Sequence, residues 1–181
     1  LYTKDFYDKE IKNFNGYPSI ITSDGTQLLL QILRNSSLQL RDNIPTTIRQ
    51  RATENLYLLW AIDENRYINT VGKLLLKFHI EPRWAKSILV SIANDCIIPV
   101  VASICFIIAD INIKDYPPVL NPYFSDHWAY WLLFKRYANS NAFLNVKIRF
   151  LKIIDKIKEL GYPVNEIIKD DHNLWNRFKQ C

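Results

Sequence analysis

Histidines, cysteines and paired carboxylates are the side chains that could bind a metal or transfer a proton, and this sequence holds few of them. Its three histidines are His79, His127 and His172. No Cys, His or Glu recurs near them at a spacing that would place several ligands on one face, and Glu81 is only two residues from His79. A zinc site takes about three or four such ligands. The sequence therefore predicts no metal site and no cofactor, and His127, beside Asp126 at a predicted helix start, is interpreted as a surface or capping residue.

Nucleophiles and acidic pairs give no catalytic pattern either. The chain contains no GxGxxG, no GxxxxGK and no nucleophile elbow. The acidic pairs 63–64 and 170–171 lie at predicted helix breaks, where turn and capping chemistry explains them. We expect a protein that is not an enzyme, and an active site assembled from distant single residues remains the open alternative.

The three cysteines do not form a CxxC motif. Cys96 and Cys105 are nine residues apart, which puts them on opposite faces of any helix that contains both, and Cys181 lies far along the chain. An odd number of cysteines without a small disulfide framework predicts reduced, buried thiols in an intracellular protein of the cytoplasm or nucleus.

Aromatic residues are concentrated at 128–137, which contains Trp128, Tyr130, Trp131, Phe134 and Tyr137. This is more aromatic surface than one buried helical stripe requires, and protein interfaces are enriched in Trp and Tyr. We therefore expect some of these rings in the core and at least one at a binding surface, for which Tyr130 and Trp131 are the candidates.

The elements that must position these residues are predicted to be helices. The segment 49–62 has Ala52, Leu56, Leu59 and Trp60 at spacings of three and four, one face of a helix that neighbours must cover. Similar patterns recur along the chain, only four glycines are present and no long run alternates with period two. The sequence predicts an all-α protein of about nine or ten helices in a single domain, 1–181.

The most apolar run, 96–113, could be a membrane span or a buried helix. It is bounded by Asp95 and Asp110, contains Pro99, and is shorter than the roughly 20 residues that cross a bilayer. We interpret it as a central buried helix. The proline-rich segment 114–125 is the clearest loop, and the helix at 142–160 is followed by Gly161, where a glycine stop belongs.

Parts of the chain resemble armadillo and HEAT-type helical repeats. Residues 25–33 (GTQLLLQIL) resemble the second helix of an armadillo repeat, which opens with Gly and carries Leu pairs, and 98–104 (IPVVASI) resembles another such opening. Residues 52–56 (ATENL) and 89–93 (LVSIA) resemble third helices. The spacings of 72 residues from Thr26 to Ile98 and 36 from Leu56 to Ile92 fit a repeat of about 36 residues. The resemblance covers about 25–109, within a repeat-like part at 25–112, and leaves 126–181 as divergent C-terminal helices. It implies a right-handed α-solenoid, and an irregular helical bundle is the alternative.

The resemblance implies binding of another protein. Third helices of that family line a concave groove, where asparagines hold an extended peptide, and Asn55 and Ser91 occupy the matching positions. We expect a non-catalytic protein–protein scaffold or adaptor, part of a larger regulatory or assembly factor. Its binding residues are predicted to be Arg51, Asn55, Ser91, Tyr130, Trp131 and Arg136.

The alternative is a helical-repeat domain that binds nucleic acid through a basic concave face. The net charge of +5 and pI of about 9.1 permit it, although the basic residues are spread along the chain without a dense run. The phosphate contacts would come from Arg49, Arg51, Arg83, Lys86, Lys135 and Arg136.

Overall fold

The computed structural model describes residues 3–4, 25–35, 44–113, 125–137, 140–164 and 171–181. Within these ranges the protein has eight α-helices and one 3-10 helix, and its only strand-like pairing is a single antiparallel bridge between Ile62 and Ile68. The all-α prediction is confirmed for this part of the chain. The sequence also predicts helices at 3–14 and 164–169, and residues 5–14 and 165–169 of these lie outside the described residues, as do residues 114–124 of the proline-rich loop. The chain divides into two compact units, 1–73 and 74–181.

The first unit is built on two helices packed together, α1 (Thr26–Arg34) and α2 (Thr46–Leu58). Their buried faces meet through Leu29, Leu30, Ala52 and Leu56. Gly25 precedes α1 with φ of 68°, and a Cβ there would lie 2.7 Å from the Ile48 side chain. A glycine is therefore required at this position both by backbone conformation and by the approach of α2.

The C-terminal end of α2 differs from the sequence prediction. The helix ends at Leu58 instead of continuing to residue 62, and Trp60 adopts a left-handed backbone with φ of 57°. The Trp60 N–H donates to the Tyr57 carbonyl and the Ala61 N–H to the Leu56 carbonyl, both at 2.9 Å, which closes the helix with a left-handed cap. Trp60 consequently leaves the predicted apolar face and is 73% exposed, while Ala52 and Leu56 of that face are buried as expected.

A short helix, α3 (Thr70–Leu76), follows a tight loop and starts with a side-chain cap. The Asn69 Oδ1 accepts from the Gly72 N–H at 3.0 Å, and the Asn69 Nδ2 donates to the Trp60 carbonyl at 2.9 Å. A Cβ on Gly72 would lie 2.2 Å from the Ala61 carbonyl oxygen. A glycine inside a helix normally weakens it, but Gly72 allows the loop backbone to lie directly against α3.

The second unit is organised around α5 (Ile97–Ile108), which packs against α4 (Pro82–Ala93), α6 (Asp126–Tyr137) and α7 (Leu144–Glu159). Residues 99–106 are all buried, so the prediction of a central buried helix is confirmed. Pro99 lies in the first turn, where a missing N–H breaks no helical hydrogen bond. No helix among the described residues combines the length and apolarity that crossing a membrane requires.

Aromatic rings fill the space between these helices. Phe106 of α5 contacts Phe143, in a 3-10 turn (Asn141–Phe143), with a centroid distance of 5.0 Å, and stacks on Tyr130 of α6 at 5.6 Å. The last helix, α8 (Asp171–Phe178), is held to α6 by Trp128, whose ring lies 5.2 Å from those of both Trp175 and Phe178. Much of the aromatic segment at 128–137 therefore belongs to the core.

Three helices of this unit end with the same left-handed cap as α2. The residue in the left-handed conformation is Asp95 after α4, Asp110 after α5 and Gly161 after α7, with φ of 50°, 53° and 84°. In each case the next residue donates its N–H back to the last turn, as Cys96 does to the Ser91 carbonyl at 3.0 Å. The predicted stop at Gly161 is confirmed.

Candidate functional site

A concave surface of the first unit runs beside α2, and we call it the α2 groove. It has a volume of about 750 Å³. Its walls come from α2 and from the loop that follows, which includes the Ile62–Ile68 bridge. Its lining side chains include Arg49, Glu54, Tyr57, Leu58, Asp63, Glu64 and Arg66.

Large apolar side chains are exposed at the groove and on its loop. Tyr57 and Leu58 line the groove and are 55% and 75% exposed, and Trp60 and Tyr67 in the same segment are 73% and 71% exposed. The geometry of α2 explains this exposure. Ala52 and Leu56 face α1, so Tyr57 and Leu58, which directly follow Leu56, point away from α1. Such a concentration of exposed aromatic and aliphatic side chains on one short segment is typical of a binding surface.

Charges of both signs surround these apolar groups. Arg49 and Arg66 supply two guanidinium groups, while Glu54, Asp63 and Glu64 supply three carboxylates. The Asp63 Oδ1 accepts from the Tyr67 N–H at 2.8 Å, which fixes the turn carrying both residues. The groove is therefore not a uniformly basic surface, and a partner with mixed charges matches it better than a polyanion does.

The predicted binding residues of the first unit have separate environments. Arg51 is exposed on α2 and Arg49 lines the groove. The Asn55 Nδ2 donates to the hydroxyl of buried Thr26 at 3.1 Å, so this amide joins α2 to α1. Because that bond faces the interior of the unit, Asn55 holds the helices together instead of presenting its amide group to an extended peptide.

Two predicted binding residues of the second unit lie in the core. Ser91 is buried, and its hydroxyl donates to the Ile88 carbonyl at 2.7 Å. Trp131 is also buried, its Nε1–H meets no acceptor among the described residues, and the Lys135 Nζ lies 5.5 Å from its ring centroid. A partner could not reach either side chain in this conformation. Ser91 and Trp131 are therefore not part of the proposed binding surface.

Tyr130 is half-buried and has an internal hydrogen bond. Its hydroxyl donates to the Ile111 carbonyl at 2.9 Å, and burial raises the pKa of this phenol above its ordinary value. The ring stacks on Phe106. Tyr130 therefore contributes to the attachment of α6 to the end of α5.

The remaining predicted cations of the second unit lie on α4 and α6. Arg83 forms an ion pair with Glu81 at 2.9 Å and covers the Trp84 ring, while Lys86 is half-buried. The Arg136 guanidinium lies 5.4 Å from the Tyr137 ring centroid. The other two predicted phosphate contacts, Arg49 and Arg51, belong to the first unit.

Two of the three histidines have side chains that the structure describes. His79 and His127 are exposed, and the described residues contain no cluster of three or more His, Cys, Asp and Glu side chains that could hold an ion. The side chain of His172 lies outside the described residues.

Sequence reasoning missed Tyr57, Leu58 and Tyr67 as surface residues. A signal was present, since Tyr57 and Leu58 lie away from the Ala52–Leu56 face and only a few residues before the predicted break at 63–64. No protein-family model matches the chain.

Proposed function

We propose that the protein is a non-catalytic protein–protein interaction module that binds its partner through the α2 groove. The observation that carries this proposal is the exposure of Tyr57 and Leu58 in a groove bordered by both arginines and carboxylates. Interface hot spots are enriched in Tyr, Trp and Arg around a desolvated apolar centre. The expected partner segment has an apolar anchor that covers Tyr57 and Leu58 and flanking charges of both signs.

The conformation of Trp60 supports the same proposal. A bulky residue with positive φ is an outlier, and such backbone strain is concentrated at functional positions. Nothing in helix capping favours Trp here, because glycine serves best. A role for its exposed indole in binding accounts for a residue that folding alone would disfavour.

We further propose a right-handed α-solenoid of the armadillo or HEAT type as the arrangement of the helices, in an intracellular scaffold or adaptor. The packing of α1 on α2, of α4 on α5 and of α5 on α6 supports it, because helical repeats bury their faces against their neighbours in sequence. The contact between α5 and α7 favours the alternative, an irregular bundle, because these two helices are not neighbours in sequence.

The test is affinity capture with the full chain, followed by a binding titration of the captured partner. We expect Tyr57→Ala and Leu58→Ala each to weaken binding by about thirtyfold, the loss that corresponds to about 2 kcal/mol at a hot spot. Leu151→Ala is the matched control, since Leu151 is an exposed aliphatic residue of the other unit. Unchanged affinity of both groove variants, with circular dichroism intact, would exclude the α2 groove as the binding surface.

A second candidate function, nucleic-acid binding, is favoured by the exposure of Arg49 and Arg51 on the same helix. Titrating the full chain with single-stranded and duplex DNA at two salt concentrations tests it. Contacts to phosphates would give an affinity that falls steeply with salt and is reduced by Arg49→Glu and Arg51→Glu. An absence of binding at low salt would exclude this function.

A further inference from the structure

Two cysteines that are far apart in sequence have their sulfur atoms side by side in the second unit. The Sγ atoms of Cys96 and Cys181, separated by 85 residues, are 2.9 Å apart, and each residue is a free thiol. A disulfide bond joins sulfurs at about 2.05 Å, so only a small approach separates this dithiol from a covalent link. The third cysteine, Cys105, is buried inside α5.

Local structure holds the two sulfurs together from both sides. Cys96 follows the left-handed Asp95 and precedes α5, and its N–H is bonded to the Ser91 carbonyl. Cys181 lies just beyond α8, where its N–H donates to the Phe178 carbonyl at 3.1 Å. An ion pair between Arg177 and Asp95, at 3.4 Å, links the same two segments. The sulfur contact therefore results from a defined meeting of α8 with the junction between α4 and α5.

The two thiols differ in accessibility and in acidity. Cys96 is 1% exposed, whereas Cys181 is partly exposed. The hydrogen bond between them raises the pKa of Cys96, which burial raises further, and the same bond lowers the pKa of Cys181. Among the neighbouring charges, Arg177 lowers the pKa of Cys96 and Asp95 raises it. Cys181 is thus the thiol suited to attack, and Cys96 the one suited to act second.

A cavity lies against the more reactive of the two cysteines. It has a volume of about 380 Å³, within the range of small-molecule sites, and Cys181 is part of its wall. Trp84, Trp175 and Phe178 make much of the described wall apolar, and Lys179 contributes a cation to it. A peptide-sized thiol reagent with a carboxylate could therefore occupy the cavity with its sulfur near Cys181.

We propose that Cys96 and Cys181 form a redox-active dithiol whose substrates are low-molecular-weight disulfides such as glutathione disulfide. The Cys181 thiolate attacks one sulfur of the disulfide, forms a mixed disulfide and releases the first glutathione thiolate. The Cys96 thiolate then attacks the Cys181 sulfur, forms the intramolecular disulfide and releases the second glutathione thiolate. The two protons lost by the protein are taken up by the two released thiolates, so one disulfide is reduced as one is formed.

The experiment treats the reduced full chain with glutathione disulfide, stops the reaction with acid, alkylates the remaining thiols and maps the peptides without reduction. Wild type is expected to yield a linked Cys96–Cys181 peptide with Cys105 alkylated, and dithiothreitol is expected to reverse the link. In Cys96→Ser the second step is blocked, so glutathione should accumulate on Cys181. In Cys181→Ser, modification of Cys96 should be slower by at least about tenfold, because the Cys96 thiol is buried and must react without the more exposed partner.

Cys105→Ser is the matched control and should form the link as wild type does. A wild-type chain that keeps glutathione on Cys181 without forming the link would overturn the proposal, as would equal rates of modification in Cys96→Ser and Cys181→Ser. The wild-type peptide map decides the question even where a variant loses its circular dichroism signal.

Discussion

Replacing Gly72 with alanine sets helix propensity against tertiary packing, and the two predict opposite signs. In a helix interior alanine is about 1 kcal/mol better than glycine, so α3 considered alone should be stabilised. In the structure an added Cβ would lie 2.2 Å from the Ala61 carbonyl oxygen and 2.8 Å from the Ile68 side chain. We expect the packing term to dominate and Gly72→Ala to destabilise the protein.

The size of the effect follows from the movement that the new methyl group would force. An ordinary contact begins at 3.4 Å, so the Ala61 backbone would have to retreat by about 1.2 Å. Ala61 also accepts the Asn69 N–H at 3.2 Å, a bond that this retreat would break. Overpacking costs about 1–3 kcal/mol and a lost hydrogen bond about 1 kcal/mol. After the gain in propensity is subtracted, we expect a net loss of about 1–3 kcal/mol in the free energy of unfolding.

Urea denaturation followed by circular dichroism measures the loss, and hydrogen exchange of the amides at 61–73 locates it. Lys73→Ala is the matched control, since this exposed neighbour in the same helix should change stability by no more than about 0.5 kcal/mol. If Gly72→Ala were as stable as wild type or more stable, with exchange at 61–73 unchanged, the close approach of Ala61 to α3 would not be a real constraint.

Two other substitutions test the helix end and the buried thiol. Trp60→Gly relieves a left-handed backbone that costs about 1–2 kcal/mol, offset by about 0.5–1 kcal/mol of extra unfolded-chain entropy, so stability should stay equal or rise by up to about 1.5 kcal/mol. Capture of the partner should nevertheless weaken, and a large loss of stability in urea would contradict this reasoning. Burial raises the pKa of Cys105 from 9.0 to about 12, so its contribution to stability is present below pH 9.0 and declines as pH rises towards 12. Between about pH 8 and about pH 10, wild type should lose about 1.4 kcal/mol more than Cys105→Ala, measured by urea denaturation, and parallel losses would refute a neutral buried thiol.

Helical periodicity and breaker residues predicted the elements of this protein well. The apolar run after Cys96 became α5, with Pro99 in its first turn, and Gly161 ends α7 in the left-handed conformation. These features are local, because the spacing of apolar side chains and the φ preference of glycine act within a few residues. The candidate site was harder to predict. Asn55 and Ser91 occupy positions that a repeat pattern assigns to a groove, yet one bonds to Thr26 and the other is buried.

The sequence by itself determined that the described chain is all-α, that α5 is buried, and that α7 stops at Gly161. Only the tertiary structure decided the direction of the Trp60 side chain, because the left-handed cap after α2 moves this residue away from the apolar face of the helix. Only the fold brought the sulfur of Cys96 to that of Cys181, and the Ala61 carbonyl to Gly72. Periodicity reports which side of a helix is apolar, whereas the approach of one segment to another depends on how all the buried faces pack at once.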